Sequence, residues 1–253
     1  MSDADDLAAC AGLLVRGDPE RFRATMAAPV ALRRLLLPLY AFNLEVARAP
    51  WVTKEPMIAE MRLQWWRDAL AEIAAGGPVR RHEVVTPLAG ALDARGAADL
   101  DDLVDARRAD IAGLDLADRA DLTGYLDRTA GTLLWTAARL AGAADEAAVR
   151  DAGLAQGIAG WLRAAPELAA RGRAALPPGD PAADVRALAQ AGLEALGRFR
   201  QARVVPAAQP VFLVLPETRA TLRAAARGGD VNTSVSPFGS RLRLGWAALT
   251  GRV

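Results

Sequence analysis

Asp101-Asp102-Leu103-Val104-Asp105 is the string in this chain whose residue types and spacing most directly suggest chemistry. Carboxylates one helical turn apart share a face, and together they can hold Mg²⁺, a hard cation that prefers oxygen ligands. The same string has a bland reading. Acidic residues are favoured in the first turn of a helix by the macrodipole, and so short a pattern arises easily by chance. Other chemistries have little to work with. His82 is the only histidine and Cys10 the only cysteine. A histidine cluster or a cysteine-based zinc site is therefore excluded, and a Ser-His-Asp triad would have to use His82. That residue follows Arg80-Arg81 and is expected to sit solvated in a loop. A lone cysteine permits no intrachain disulfide and suits a reducing compartment.

The elements that must position these residues read as helices. Ala, Leu and Arg dominate, and all three are good helix formers. Between Met57 and Ile73 a broad apolar face runs at three- and four-residue spacings and stops at Gly76-Gly77-Pro78. Asp121–Ala141 and Leu188–Arg203 are expected to form two further long helices. Asp18 should cap a helix whose first residue is Pro19. Trp65 and Trp66 are neighbours on a helix and point about 100° apart, so they cannot form one parallel stack, and one of them should be core. The remaining breakers are too short to be interdomain linkers. The expected architecture is one all-α domain over residues 1–253, of about eight to ten helices.

Charge and hydropathy narrow the partners. With 31 basic and 30 acidic residues, there is no electrostatic case for nucleic acid. Lys54 is the only lysine, so nearly all the positive charge is arginine. The acidic opening Met1-Ser2-Asp3-Ala4-Asp5-Asp6 is the reverse of a basic signal-peptide start. No apolar run approaches the roughly 18 residues needed to span a bilayer. A cytoplasmic protein is expected, soluble or peripheral. Residues 231–253 contain Arg241-Leu242-Arg243-Leu244-Gly245-Trp246, which reads either as a packed terminal helix or as a basic amphipathic helix on a membrane surface.

Four stretches, in this order, carry a resemblance. They are Arg33-Arg34 with Leu39-Tyr40-Ala41-Phe42; Leu63-Gln64-Trp65-Trp66-Arg67-Asp68-Ala69-Leu70 with Gly76-Gly77-Pro78; Tyr125-Leu126-Asp127-Arg128-Thr129-Ala130-Gly131-Thr132; and Gly153-Leu154-Ala155 through Leu162-Arg163 to Gly172-Arg173-Ala174-Ala175-Leu176-Pro177. Together they span roughly residues 20–180 and resemble the squalene/phytoene synthase family. The resemblance implies an isoprenoid-synthase-type helical bundle with a central cavity. The candidate cavity or ligand residues are Arg33, Arg34, Tyr40, Trp66, Tyr125, Gly131, Gln156, Arg163 and Arg173. The arginines have an equal structural reading as ion pairs, Trp66 as core, and Gly131 as a point of close helix approach.

Active members of that family place two aspartate pairs across the cavity to hold Mg²⁺. By alignment to Tyr40-Ala41 the first pair should fall within Ala47–Trp51, where Ala47, Arg48 and Trp51 stand instead. By alignment to Leu162-Arg163 the second should fall at Ala164 and Leu168, with Pro166 between them. Gly160 and Gly157 align with the family's Asn and Gln before that pair, and Gln156 is one position away. No metal ligand and no catalytic residue is therefore assigned, and no cofactor is expected. The Met61-Arg62-Leu63-Gln64-Trp65-Trp66 and Leu162-Arg163-Ala164-Ala165-Pro166 stretches resemble members that lack the aspartates and assist assembly of respiratory complex I. The resemblance then implies a complex I subunit or assembly intermediate as partner, an isoprenoid-like ligand in the cavity, and peripheral contact at the membrane's inner face. Two alternatives stand beside it. One is an isoprenoid carrier. The other is an active head-to-head prenyltransferase whose Mg²⁺ ligands would be Asp101, Asp105 or Asp110.

Overall fold

The computed structural model describes residues 2–53, 55–229, 231 and 237–251. Part of the Ser/Asn/Pro stretch after Val231, together with Lys54, Asp230 and the last two residues, lies outside the described residues. The described residues contain helices and no strand: α1 (Asp3–Gly17), α2 (Pro19–Ala27), α3 (Val30–Arg48), α4 (Pro56–Ala74), α5 (Val85–Ala89), α6 (Ala94–Arg107), α7 (Ala109–Ala112), α8 (Arg119–Leu126), α9 (Thr132–Leu140), α10 (Glu146–Ala170), α11 (Pro181–Phe199), α12 (Leu215–Ala226) and α13 (Pro237–Thr250). A π-helical turn, Asp127–Gly131, joins α8 to α9, and a 3₁₀ turn, Gln209–Phe212, precedes α12. The count exceeds the expected eight to ten because α5 and α7 are single short turns and the Asp121–Ala141 helix is divided by the π turn.

Local chemistry sets these boundaries. Asp18 accepts from the Arg21 backbone N–H at the head of α2, with Pro19 next in line. Asp180 caps α11 by accepting from Ala182 and Ala183, so that helix starts and ends earlier than expected. Gly76, with φ of +68°, follows α4 and supplies the left-handed residue that turns the chain away.

The 25-residue α10 is the central element, packed against α9, α11, α12 and the π turn. Its approach to the π turn depends on small residues. A Cβ on Gly153 would lie 2.7 Å from Gly131 Cα, and one on Gly157 would lie 2.9 Å from Ala130 Cβ. The expected role of Gly131 in close helix approach is thus shared with Gly153, across the interface. Thr129 Oγ1 donates to the Tyr125 carbonyl at 2.8 Å, satisfying an acceptor in the altered hydrogen-bond ladder of the π turn.

Trp66 is core, as one of the tryptophan pair had to be: it is buried and meets Phe42 edge-on at 5.3 Å. Trp65 and Trp66 meet at 88°, edge to face and not stacked. His82 corrects the expectation of a solvated loop residue. It is half-buried, its ring lies against both tryptophans, and Nδ1 accepts from the Val84 N–H at 3.1 Å. Arg80 draws the segment in, because its guanidinium binds Glu72 at 2.6 Å and covers the Trp65 ring at 4.9 Å.

Candidate functional site

The Asp101–Asp105 string lies in the second half of α6, so the first-turn macrodipole explanation does not apply. Two of its three carboxylates are occupied by arginines, and the third, Asp102, is exposed. Asp101 takes both ends of the Arg67 guanidinium at 2.7 Å, and Asp105 accepts from Arg128 at 3.1 Å and Arg108 at 3.4 Å. Among the described residues, no group of three or more His, Cys, Asp or Glu side chains is arranged to hold a metal ion.

The site lies elsewhere. A cavity of about 680 Å³ opens between α3, α8, the π turn and α10. Ala47, Arg48 and Trp51 line it from the end of α3 and the turn that follows, and Ala164 and Leu168 line it from α10. The two positions at which the resemblance puts aspartate pairs therefore do share one cavity. Their side chains offer no carboxylate, and Arg48 places a positive charge where a cation would have to sit. These positions offer Mg²⁺ no oxygen ligand, and the two carboxylates that do line the cavity, Asp110 and Glu167, are paired with Arg107 and Arg171.

Deep in the cavity is a polar triad. The Tyr125 hydroxyl lies 2.8 Å from both Asp110 carboxylate oxygens, and Arg107 Nη1 donates to the same hydroxyl at 2.6 Å and to Asp110 at 3.3 Å. Asp110 and Tyr125 are buried. Burial pushes the Tyr125 hydroxyl well above the ordinary phenol range, and the adjacent Asp110 adds to this while Arg107 opposes it. The hydroxyl stays neutral and serves as a fixed hydrogen-bonding group. Asn43, Gln156 and Thr129 complete the polar floor.

The rim is arginine-rich. Arg16, Arg21, Arg48 and Arg171 join Arg107 in the lining. Arg21 pairs with Asp18 at 2.7 Å and lies over the buried Tyr40 ring at 5.4 Å. Arg171 pairs with Glu167 at 2.6 Å, and Arg171 and Arg173 both lie over Trp51, at 5.5 and 5.6 Å. Leu44, Leu126, Ala130 and Trp161 give the cavity its apolar wall.

Of the residues singled out from the sequence, Tyr125 and Gln156 line the cavity. Tyr40 and Arg173 stand one layer back, beneath Arg21 and beside Trp51. Arg33 donates from Nε to the Ala28 carbonyl at 2.9 Å, fixing the α2–α3 junction, and Arg34 is exposed. Arg163 pairs with Glu20 at 2.8 Å and donates to Thr221 at 3.2 Å. Trp66 and Gly131 belong to the packing described above. The sequence did not single out Arg16, Arg21, Arg107 or Arg171, and it named Asp110 only as a Mg²⁺ ligand of the prenyltransferase alternative. One signal could have exposed the buried pair: Arg107 and Asp110 are three residues apart beside a helix break.

An all-α bundle enclosing a cavity between facing helices is the architecture of isoprenoid-synthase-type proteins. The solved structure of a dehydrosqualene synthase in complex with ligand superposes with a TM-score of 0.82 over 96% of this chain and 95% of that one, at 15% identity. The squalene/phytoene synthase family model matches residues 14–248, and the chain belongs to that family. It is also similar to NADH dehydrogenase (ubiquinone) complex I, assembly factor 6. It is 28% identical to the Mus musculus protein over 173 residues and to the Homo sapiens protein over 183. Each alignment covers 66% of this chain and 52% of the relative, so the chain spans about half the length of the curated relatives it matches. A shorter match to the Drosophila melanogaster homolog is 40% identical over 62 residues, 24% of this chain and 19% of the relative.

Proposed function

We propose that this protein is a non-catalytic member of the squalene/phytoene synthase family that assists assembly of respiratory complex I, working as a single unit at the inner face of the membrane. The observation that carries the reading is the replacement of carboxylates by Ala47, Arg48, Ala164 and Leu168 on facing walls of one cavity. A fold keeps its shape after its chemistry has gone, and ionising an allylic diphosphate needs a charge-neutralising metal that these side chains cannot hold. The similarity to complex I assembly factors supports the assembly role. The prenyltransferase alternative loses its ligands, since Asp101 and Asp105 are committed to arginines and Asp110 to Tyr125 and Arg107. Incubated with farnesyl diphosphate and Mg²⁺, the protein is expected to release no inorganic diphosphate; sustained Mg²⁺-dependent release would remove the non-catalytic reading. Deleting the gene is expected to lower assembled complex I and NADH-driven respiration, and unchanged levels of both would remove the assembly role.

The membrane contact is assigned to α13. No helix among the described residues is long and apolar enough to cross a bilayer. On α13, Leu242, Trp246 and Leu249 are 65%, 64% and 87% exposed, and their spacing of four and three residues puts them on one face. The opposite side is held to α12, with Ala247 buried and Arg243 paired to Glu217 at 2.9 Å. Residues 231–253 carry three arginines and no acidic residue. An outward apolar stripe with Trp and Arg suits the interface of an anionic bilayer. Trp246→Glu is expected to weaken sedimentation with phosphatidylglycerol vesicles by about tenfold; equal sedimentation of the two proteins would exclude this face.

A further inference from the structure

Away from the cavity, α11 and α12 carry a concentration of positive charge. Residues 198–227 hold six arginines and one carboxylate, Glu217, in a chain whose 31 basic and 30 acidic residues nearly cancel. Arg198 is held by Asp151 at 2.6 Å, and Glu217 is taken by Arg243 of α13 at 2.9 Å. Arg200 directly follows α11, and Arg219 and Arg223 stand one turn apart on α12. These three form no ion pair among the described residues. Arg200 and Arg223 are exposed, and Arg219 is half-buried. Nη2 of Arg219 is shut off from solvent and has no hydrogen-bond partner. Burial lowers the Arg219 pKa from the usual arginine value, and Arg200 and Arg223 add to the effect.

The backbone beneath this cluster is firmly packed. Phe199 meets Phe212 at 4.7 Å, and Gly192 lets Leu222 close against α11, where a Cβ would lie 2.9 Å from Leu222 Cδ1. Helix ends explain part of the charge, since a C-terminus favours a basic residue and both Arg200 and Arg223 stand at one. Arg219 lies in the first half of α12, where the macrodipole gives it no support. Like charges four residues apart on a helix also repel. A half-buried guanidinium without an acceptor, between two others, costs stability and contributes none to the fold.

We propose that Arg200, Arg219 and Arg223 form a docking site for an acidic segment of a partner protein, whose carboxylates supply the acceptors that these guanidinium groups lack. The planar fork of arginine matches a carboxylate with two parallel hydrogen bonds. None of the three arginines lines the cavity. Direction favours a protein over a lipid. At 100° per residue, Arg219 lies about 160° and Arg223 about 120° round α12 from Glu217, the residue that holds Ser240 and Arg243 of α13. With α13 on the bilayer, the arginine face is turned away from the lipid. The choice of partner therefore rests on the membrane contact assigned to α13.

The test is fluorescence anisotropy of the full chain with a fluorescein-labelled alternating Glu-Ala peptide, with the Gln-Ala peptide as neutral control. Saturable binding of the acidic peptide alone is expected, weakened by salt. Arg219→Met should reduce its affinity about tenfold, roughly one charge-assisted contact. Arg186→Gln removes an exposed charge from the other end of α11 and should leave the affinity unchanged. Thermal unfolding adds a readout that a structural arginine would not give. Arg219→Met should raise the melting temperature by about 2–4 °C, and saturating acidic peptide should raise it in the unsubstituted protein.

No binding of the acidic peptide, an equal loss in Arg186→Gln, or a melting temperature lowered by Arg219→Met overturns the site. Phosphatidylglycerol vesicles whose retention falls in Arg219→Met, with the peptide unbound, would assign the patch to lipid and overturn the protein partner. These outcomes are distinct from the function tests above. Unchanged complex I after gene deletion removes the assembly role and leaves peptide binding standing, while absent peptide binding removes only the arginine site.

Discussion

Asp110→Ala is expected to lower the unfolding free energy by about 3–5 kcal/mol, the cost of leaving a buried charge without its counter-charge. Asp110 is 6% exposed and the Arg107 side chain 18%. Removing the carboxylate strands the Arg107 guanidinium and also the Tyr125 hydroxyl, which loses a 2.8 Å partner. An unsatisfied buried donor costs far more than its intact hydrogen bond contributes. The residual solvent access of Arg107 places the expected value in the lower half of that range. A double-mutant cycle separates the pair from the site: Arg107→Ala together with Asp110→Ala should cost less than the sum of the single changes by about 0.5–3 kcal/mol. Urea denaturation of the four proteins measures this. Additive costs would show that Asp110 stabilises through Tyr125 or its surroundings and not through Arg107.

That triad also shows where the sequence stops informing. The all-α class was legible because Ala, Leu and Arg at helical spacing, with Gly76 and Pro19 as boundaries, act locally. That Arg48 and Leu168 stand where the resemblance puts aspartates was legible too, since Tyr40-Ala41 and Leu162-Arg163 fix their register in chain order. The arginine cluster was not legible. Arg16, Arg48 and Arg107 lie in the last turns of α1, α3 and α6, and Arg171 follows α10 directly. A basic residue at a helix C-terminus is already explained by the macrodipole. Each arginine in isolation therefore reads as an ordinary helix end, and their grouping follows only from tertiary convergence of those ends on one opening. His82 failed for a similar reason. Its polar neighbours suggested solvent, whereas the Arg80–Glu72 pair, eight residues apart, folds the segment back over Trp65.

Stability is expected to fall as pH rises from about 9 to 12, and the sign follows from which groups are buried neutral. Cys10 is fully buried, and burial with Glu83 and Asp6 nearby raises its thiol from 9.0 to about 12. Burial likewise raises Tyr40 from 10.0 to about 12, against the pull of Arg21, and Tyr125 is raised in the same direction. In each case the folded state holds its proton more tightly than the unfolded chain. The stabilising contribution is therefore complete below the unfolded value and is lost as pH climbs toward the folded one. The loss is on the order of 4 kcal/mol for Cys10 and about 3 kcal/mol for Tyr40. Together they are comparable with the lower end of the stability of an ordinary domain. Urea midpoints followed by far-ultraviolet circular dichroism should stay level up to about pH 9 and then decline, with cooperative unfolding before tyrosinate absorbance appears. Cys10→Ala should remove the first part of that decline, between about pH 9 and 10, where the unfolded thiol titrates and tyrosine does not. A midpoint that stays level to pH 11, about one unit above the unfolded tyrosine value, would mean that these groups ionise without opening the fold. The burial of Cys10 beneath α5 and of Tyr40 beneath Arg21 would then not hold in solution.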